Sequence, residues 1–399
     1  MDRAWTWIIV VIGMTLPAMA VRLGVNHTAL TPGTAAVVFG VAILGGAFLL
    51  TWAAEVAEMD ISQGLALAFL ALVAVLPEYA VDLYFAWSAA AQPEYTAYAT
   101  ANMTGANRLL IGIAWPLIVL LYWIRTRRTL LVLPADRAVE MVFLTIATAY
   151  SFVLPFKRTI SLLDMVVLVG CFVGYMWRIA GAEAEEPEIV GPAVALARLR
   201  PALRRSAIGA CFAFSAAVIL GSAEPFAEAL IHLGRGHGID EFLLVQWLAP
   251  VASEAPEVVI ACILTLRGRA QAGMGAMVSA KVNQWTLLVG TLPLVYSAAL
   301  GRPGALHLDA RQVEEILLTA AQSLFAIAVL CDRRLSIADA AVLFLLFVSQ
   351  LFFPDPSVRY GFAGLYVLLA GLLLLRKRRD FFALLRTGLS PRRHPPHKA

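Results

Sequence analysis

A succession of apolar runs limits what this chain can become. Each is about 18–28 residues long, enough to cross the roughly 30 Å hydrocarbon layer of a bilayer as a helix. The runs are continuously apolar and do not alternate, which excludes a closed β-barrel. Inside lipid a helix alone satisfies its own backbone, so every run is expected to be helical. We read twelve spans, at 5–23, 34–54, 63–91, 96–124, 136–154, 161–180, 206–232, 241–265, 273–300, 311–331, 336–353 and 358–376. Charged residues make up 15% of the 399, against about 25% in soluble domains. The expected class is an all-α polytopic membrane protein. Ala18-Met19-Ala20 resembles a leader cleavage site, but Arg3 is offset by Asp2, and the first run reads as a retained span.

The net charge of +4 is small, and much of the excess lies in RKRR (376–379) and PRRHPPHKA (391–399). This tail follows directly on an apolar run, so it reads as an anchor at a lipid surface and not as a nucleic-acid site. With the N-terminus inside, the inner connections and tail hold 21 Lys and Arg and the outer connections 7. That asymmetry places both termini in the cytoplasm. Cys171, Cys211, Cys262 and Cys331 all fall within spans, without metal-ligand spacing, and read as small apolar filler.

The polar, Pro-containing segment 181–205 divides the chain. Apart from an extra helix in 1–33 and another, with the basic tail, in 354–399, five spans lie in 34–180 and five in 206–353. Five is odd, so the two halves enter the membrane in opposite senses. This is the arithmetic of two inverted repeats, whose sites lie near the midplane between them.

Each half carries a Pro-Glu pair where a charge is costly, AVLPEYAVD (74–82) and APVASEAPEVV (249–259). Each is followed by a helix of small and amide residues, ATANMTGANRLLIGIAWPL (99–117) and AMVSAKVNQWTLLVGTLPL (276–294), so the motif regions span 74–117 and 249–294. Pro77 and Pro256 each free a carbonyl four residues back. Gly105, Ala106, Gly273 and Gly275 permit close helix approach. Asn102, Thr104, Asn107, Ser253, Ser279, Asn283 and Gln284 add neutral oxygens. Carboxylate, carbonyl and amide oxygens together suit a hard cation. Ionisable residues at membrane depth are functional by default, which singles out Glu78 and Glu257. Asp82 and Glu254 add two acids; Arg108 and Lys281 are the fixed cations expected to offset them. Glu224 and Glu228 lie one turn apart near the outer face, as an ion entrance or a wetted surface. His232, His237 and Asp240 read as a wet loop. No histidine lies mid-span, so a histidine proton relay is not available.

The paired motifs resemble the repeats of the sodium/calcium exchanger (cation/calcium antiporter) superfamily, in a divergent, prokaryotic-type form. The family pattern is G-[ST]-S-x-P-[ED], then a helix with G-N-x-x-G-S-N. Here the first repeat has V-A-V-L-P-E (73–78) and A-N-M-T-G-A-N (101–107), the second A-S-E-A-P-E (252–257) and V-S-A-K-V-N-Q (278–284). The resemblance implies that Glu78 and Glu257 are the central ion-binding carboxylates, with Asn102 the amide ligand of the first repeat. Asn107, Ser253, Glu254, Ser279 and Asn283 would complete the cation shell. Matching Pro116-Leu117 to Pro293-Leu294 pairs Asn102 with Ser279 and Asn107 with Gln284; matching Asn107 to Asn283 pairs Asn102 with Val278. Ala74 and Val75 stand where the family carries hydroxyls.

The function implied is secondary antiport: Ca²⁺ or another cation against Na⁺ or H⁺, by alternating access, without a cofactor or structural metal. Its partners would be inorganic cations and the lipid bilayer of a prokaryotic inner membrane. A Na⁺/H⁺ exchanger that never handles Ca²⁺ is the rival within transport, and a degenerate transporter acting as a scaffold is another. An intramembrane enzyme would need a nucleophile or metal site at depth, and the chain has no H-E-x-x-H, Cys/His cluster or Asp-rich diphosphate motif.

Overall fold

A computed structural model describes residues 3–24, 30–60, 76–180, 189–353 and 355–390. In chain order the helices are α1 (Arg3–Gly24), α2 (Pro32–Ala57), α3 (Leu76–Ser88), α4 (Tyr95–Leu109), α5 (Trp115–Thr126), α6 (Ala138–Ser151), α7 (Val153–Lys157), α8 (Leu162–Ala180), α9 (Ala193–Ala197), α10 (Pro201–His237), α11 (Glu241–Leu266), α12 (Ala270–Asn283), α13 (Val289–Leu300), α14 (Ala310–Leu330), α15 (Ile337–Leu351), α16 (Pro356–Arg376) and α17 (Arg378–Leu389). Nine helical stretches among the described residues are long and apolar enough to cross a membrane. The expected span at 63–91 is described only from Leu76 onward; Ala74 and Val75 lie outside the described residues.

Local sequence sets the helix starts. Asp309 and Gln312 form a reciprocal capping box at α14, and Ser336 and Asp339 form another at α15. Thr31 caps α2, with Pro32 at its first position, where a missing N–H costs nothing.

Three features depart from the sequence reading. The spans expected at 96–124 and 273–300 are not continuous α-helices. Each contains a π-helical turn, Leu110–Ala114 between α4 and α5 and Gln284–Leu288 between α12 and α13. Such turns are rare and gather at functional sites. The segment read as a linker is partly built into the core: Ala193, Ala195 and Leu196 of α9 are buried, and α10 already starts at Pro201. The start of the basic tail forms α17, which docks on α6; Arg178 donates to the carbonyls of Gly388 (2.8 Å) and Ser390 (2.7 Å). An apolar stripe that includes Leu384 found a protein partner there.

Among the described residues, four short strands form two antiparallel pairs, each joining one half to the other. β1 (Leu130–Val132) pairs β4 (Arg334–Ser336), with Leu131 opposite Leu335. β2 (Thr159–Ser161) pairs β3 (Ala305–His307), with Ile160 opposite Leu306. These four central residues are buried. The pairs are equivalent under exchange of halves, since β1 and β3 follow the third helix of each half while β2 and β4 precede the fifth. Left-handed residues precede all four strands: Arg127, Arg158, Gly301 and Arg333. Just beyond α2, Arg204 of α10 grips Asp60 at 2.7 and 2.8 Å and holds its carboxyl below the usual range.

Candidate ion-binding site

The site forms where α3, α4, α11 and α12 cross. Pro250 lacks the N–H that would bind the Gln246 carbonyl. That carbonyl abuts Gly105 of α4, where a Cβ would stand 1.8 Å from the oxygen. Only glycine permits this crossing, and Gln246 Nε2 adds a bond to Thr104 Oγ1 at 3.3 Å. Gly273 does the same for α12, where a Cβ would lie 2.6 Å from the Ala261 carbonyl.

These contacts bring polar groups together in the interior. Glu78 and Asp82 of α3, Asn102 of α4 and Glu254 of α11 are all buried. Glu78 and Glu254 lie within hydrogen-bonding reach of each other, with Asp82 and Glu257 next in electrostatic range of Glu78. Asp82 faces Asn102. Glu257 neighbours Glu254 but is only half-buried. Gln284 Nε2 donates to Glu254 Oε1 at 2.7 Å. Lys281 Nζ donates to Asn107 Oδ1 at 2.7 Å and to its carbonyl at 3.1 Å, beneath the Trp285 ring at 4.7 Å.

Many of these atoms have no hydrogen-bond partner: Glu78 Oε1, both Asp82 oxygens, both Asn102 amide atoms, Glu254 Oε2, Asn283 Oδ1 and Gln284 Oε1. Buried polar atoms ordinarily find partners. Carboxylate and amide oxygens dominate this unpartnered set, and they are the oxygen types that hard cations take as ligands. In this conformation, among the described residues, no three acidic or histidine groups converge at metal-ligand distance.

Other expected site residues already have hydrogen-bond or ion-pair partners. Ser253 bonds the Ala249 and Pro250 carbonyls of its own helix, both at 3.3 Å. The half-buried Ser279 accepts from Tyr175 of α8 at 3.2 Å. Arg108 does not turn to the acids near Glu78. Its guanidinium bonds Glu315 of α14 and lies 5.1 Å from the centre of the Trp247 ring, while Arg359 of α16 pairs with both Glu314 and Glu315. Sequence reasoning passed over this buried four-charge network, although Glu314-Glu315 inside a span was a visible signal. Asp240 pairs with Arg311 at 2.7 Å, so it is not drawn to His232 and His237. Glu228 accepts from Tyr84 (2.6 Å) and Tyr95 (2.5 Å), and Glu224 pairs with Arg22 at 3.1 Å beside a cavity of about 270 Å³.

The architecture also sets the register between the halves. Three residues before each π turn stand Asn107 and Lys281. Twenty residues before the left-handed Arg127 and Gly301 stand the same two. Asn107 and Lys281 are thus equivalent positions, a pairing neither sequence alignment proposed: Pro116 lies nine residues after Asn107 and Pro293 twelve after Lys281, so the two Pro-Leu pairs are not equivalent.

No curated protein matches this chain. The family model described as "Sodium/calcium exchanger protein" matches residues 32–180 and 208–354. A crystal structure of the H⁺/Ca²⁺ exchanger CAX is 44% identical, with a TM-score of 0.93, covering 97% of this chain and 98% of that one. The fold is shared with YfkE, described as a Ca²⁺/H⁺ antiporter (14% identity, TM-score 0.61, covering 92% of this chain and 99% of that one). It is also shared with the sodium-calcium exchanger NCX_Mj (15%, 0.53, 81% and 99%). The chain therefore belongs to the sodium/calcium exchanger family of membrane ion exchangers.

Proposed function

We propose that this chain exchanges Ca²⁺ for protons across the membrane by alternating access, at a midplane site centred on Glu78, Glu254 and Glu257. The observation that carries this reading is the buried approach of Glu78 to Glu254, with Asp82 and Asn102 beside them and unpartnered. Facing carboxylates repel strongly in a low dielectric unless a cation or proton lies between them. A divalent cation drawn in by Glu78, Glu254 and Glu257, with Asn102, Ser253, Ser279 and Asn283 available for neutral oxygens, satisfies that need. Protons satisfy it when the cation leaves, and alternation of the two on the same acids is antiport. The 44% identity to an H⁺/Ca²⁺ exchanger supports the choice of ions. The Lys and Arg asymmetry supports cytoplasmic termini, and the same reading places the chain in a prokaryotic inner membrane and needs no cofactor or resident metal.

Proteoliposomes loaded with acid test the reading. The wild type is expected to accumulate Ca²⁺ as protons leave, and Glu78→Gln and Glu257→Gln to lower the flux at least tenfold. Unchanged flux in both variants sinks the proposal. Flux of Na⁺ against H⁺ with no competition by Ca²⁺ would favour the exchanger that never handles Ca²⁺.

A further inference from the structure

Lys281 is fully buried, and among the described residues its ammonium forms no ion pair with a carboxylate. A buried lysine kept for structure ordinarily has such a partner. Here Nζ instead occupies an oxygen pocket made by one side-chain amide and one main-chain carbonyl, both of Asn107, with Glu78 in electrostatic range and the Trp285 ring covering one side. Amide and carbonyl oxygens are what a hard monovalent cation takes as ligands. The place is also special in the architecture. Asn107 and Lys281 are equivalent residues of the two halves, and they touch each other, so the ammonium stands where the halves meet.

We propose that the Lys281 ammonium permanently fills a monovalent-cation position of the ion site and so determines which ions are exchanged. With that position taken, Na⁺ has no place beside Glu78, and Ca²⁺ and protons remain. Lys281 is a specificity-determining residue that acts by occupying space and supplying one positive charge to a site with four acids: Glu78, Asp82, Glu254 and Glu257. The inference rests on the reading of the site as a cation exchanger, but its test does not depend on Ca²⁺ flux.

The test is thermal unfolding of the purified full chain in detergent, titrated with NaCl against choline chloride at constant ionic strength. A cation that binds only the folded state raises Tm with its concentration. Wild type and Lys281→Arg are expected to show no saturable Na⁺ effect. Lys281→Met, which keeps the chain length and loses the charge, is expected to gain a saturable rise of about 3 °C or more. A purely structural lysine would lower the baseline Tm of Lys281→Met without creating Na⁺ dependence, and that outcome overturns the proposal. So does saturable stabilisation of the wild type by Na⁺, a result readable even if Lys281→Met does not fold. Absence of Ca²⁺/H⁺ exchange by the wild type, with the Na⁺ titration behaving as expected, would instead remove the ion assignment and leave the role of Lys281 standing.

Discussion

Replacing Gly105 by alanine tests the crossing on which the site depends. The added Cβ would stand 1.8 Å from the Gln246 carbonyl oxygen and 2.8 Å from its carbon. Ordinary contact begins near 3.4 Å, so α4 and α11 must separate by about 1.6 Å at that point. The obstacle is main chain, which cannot rotate away as a side chain can. Overpacking costs about 1–3 kcal/mol, and this case belongs at the upper end. At about 2.1 cal/mol/K of unfolding entropy per residue, about 3 kcal/mol in a chain of 399 residues corresponds to a fall in Tm of roughly 4 °C. The same shift moves Asn102 away from Asp82, so Ca²⁺ uptake should fall more steeply than folding. Gly170→Ala is the control, because a Cβ on Gly170 in α8 meets nothing within 4 Å. In a helix interior that change is expected to be neutral or stabilising by about 0.5–1 kcal/mol. Thermal unfolding and vesicle uptake, measured on both variants, decide the matter. A Gly105→Ala protein with wild-type Tm and full uptake would refute the close crossing.

Two further outcomes concern charges outside the site. Glu315→Gln strips the shared partner from Arg108 and Arg359, both buried, and should cost about 3–5 kcal/mol; Arg108→Met, which leaves Glu315 paired with Arg359, should cost clearly less, and the reverse order in thermal unfolding would contradict the shared pairing. Asp60, held below its usual pKa by Arg204, should stabilise the folded state fully above about pH 4 and progressively less as pH falls through its lowered value. The Tm difference between wild type and Asp60→Asn should therefore shrink from pH 5 to pH 3, and a difference that grows over that range would contradict the assignment.

Much of this molecule was legible in its sequence, because the governing force there is local. A bilayer demands long apolar helices, and hydropathy alone located the stretches that became α1, α2, α8, α11, α14 and α16. Two Pro-Glu pairs stood out for the same reason, since charge within an apolar run carries a cost that function must justify. Tertiary structure decided the partners. It set Glu254 rather than Glu257 against Glu78, turned Arg108 to Glu315, and aligned Asn107 with Lys281. These choices follow from where helices cross and from π turns that shift the phase of one face against another. They also follow from strand pairs that lock opposite halves together, as at Leu131 and Leu335. Helix periodicity reveals which residues share a face. Which faces meet, and at what depth, is set by contacts between residues far apart in the chain, such as that of Gly105, whose lack of a Cβ allows two backbones to touch.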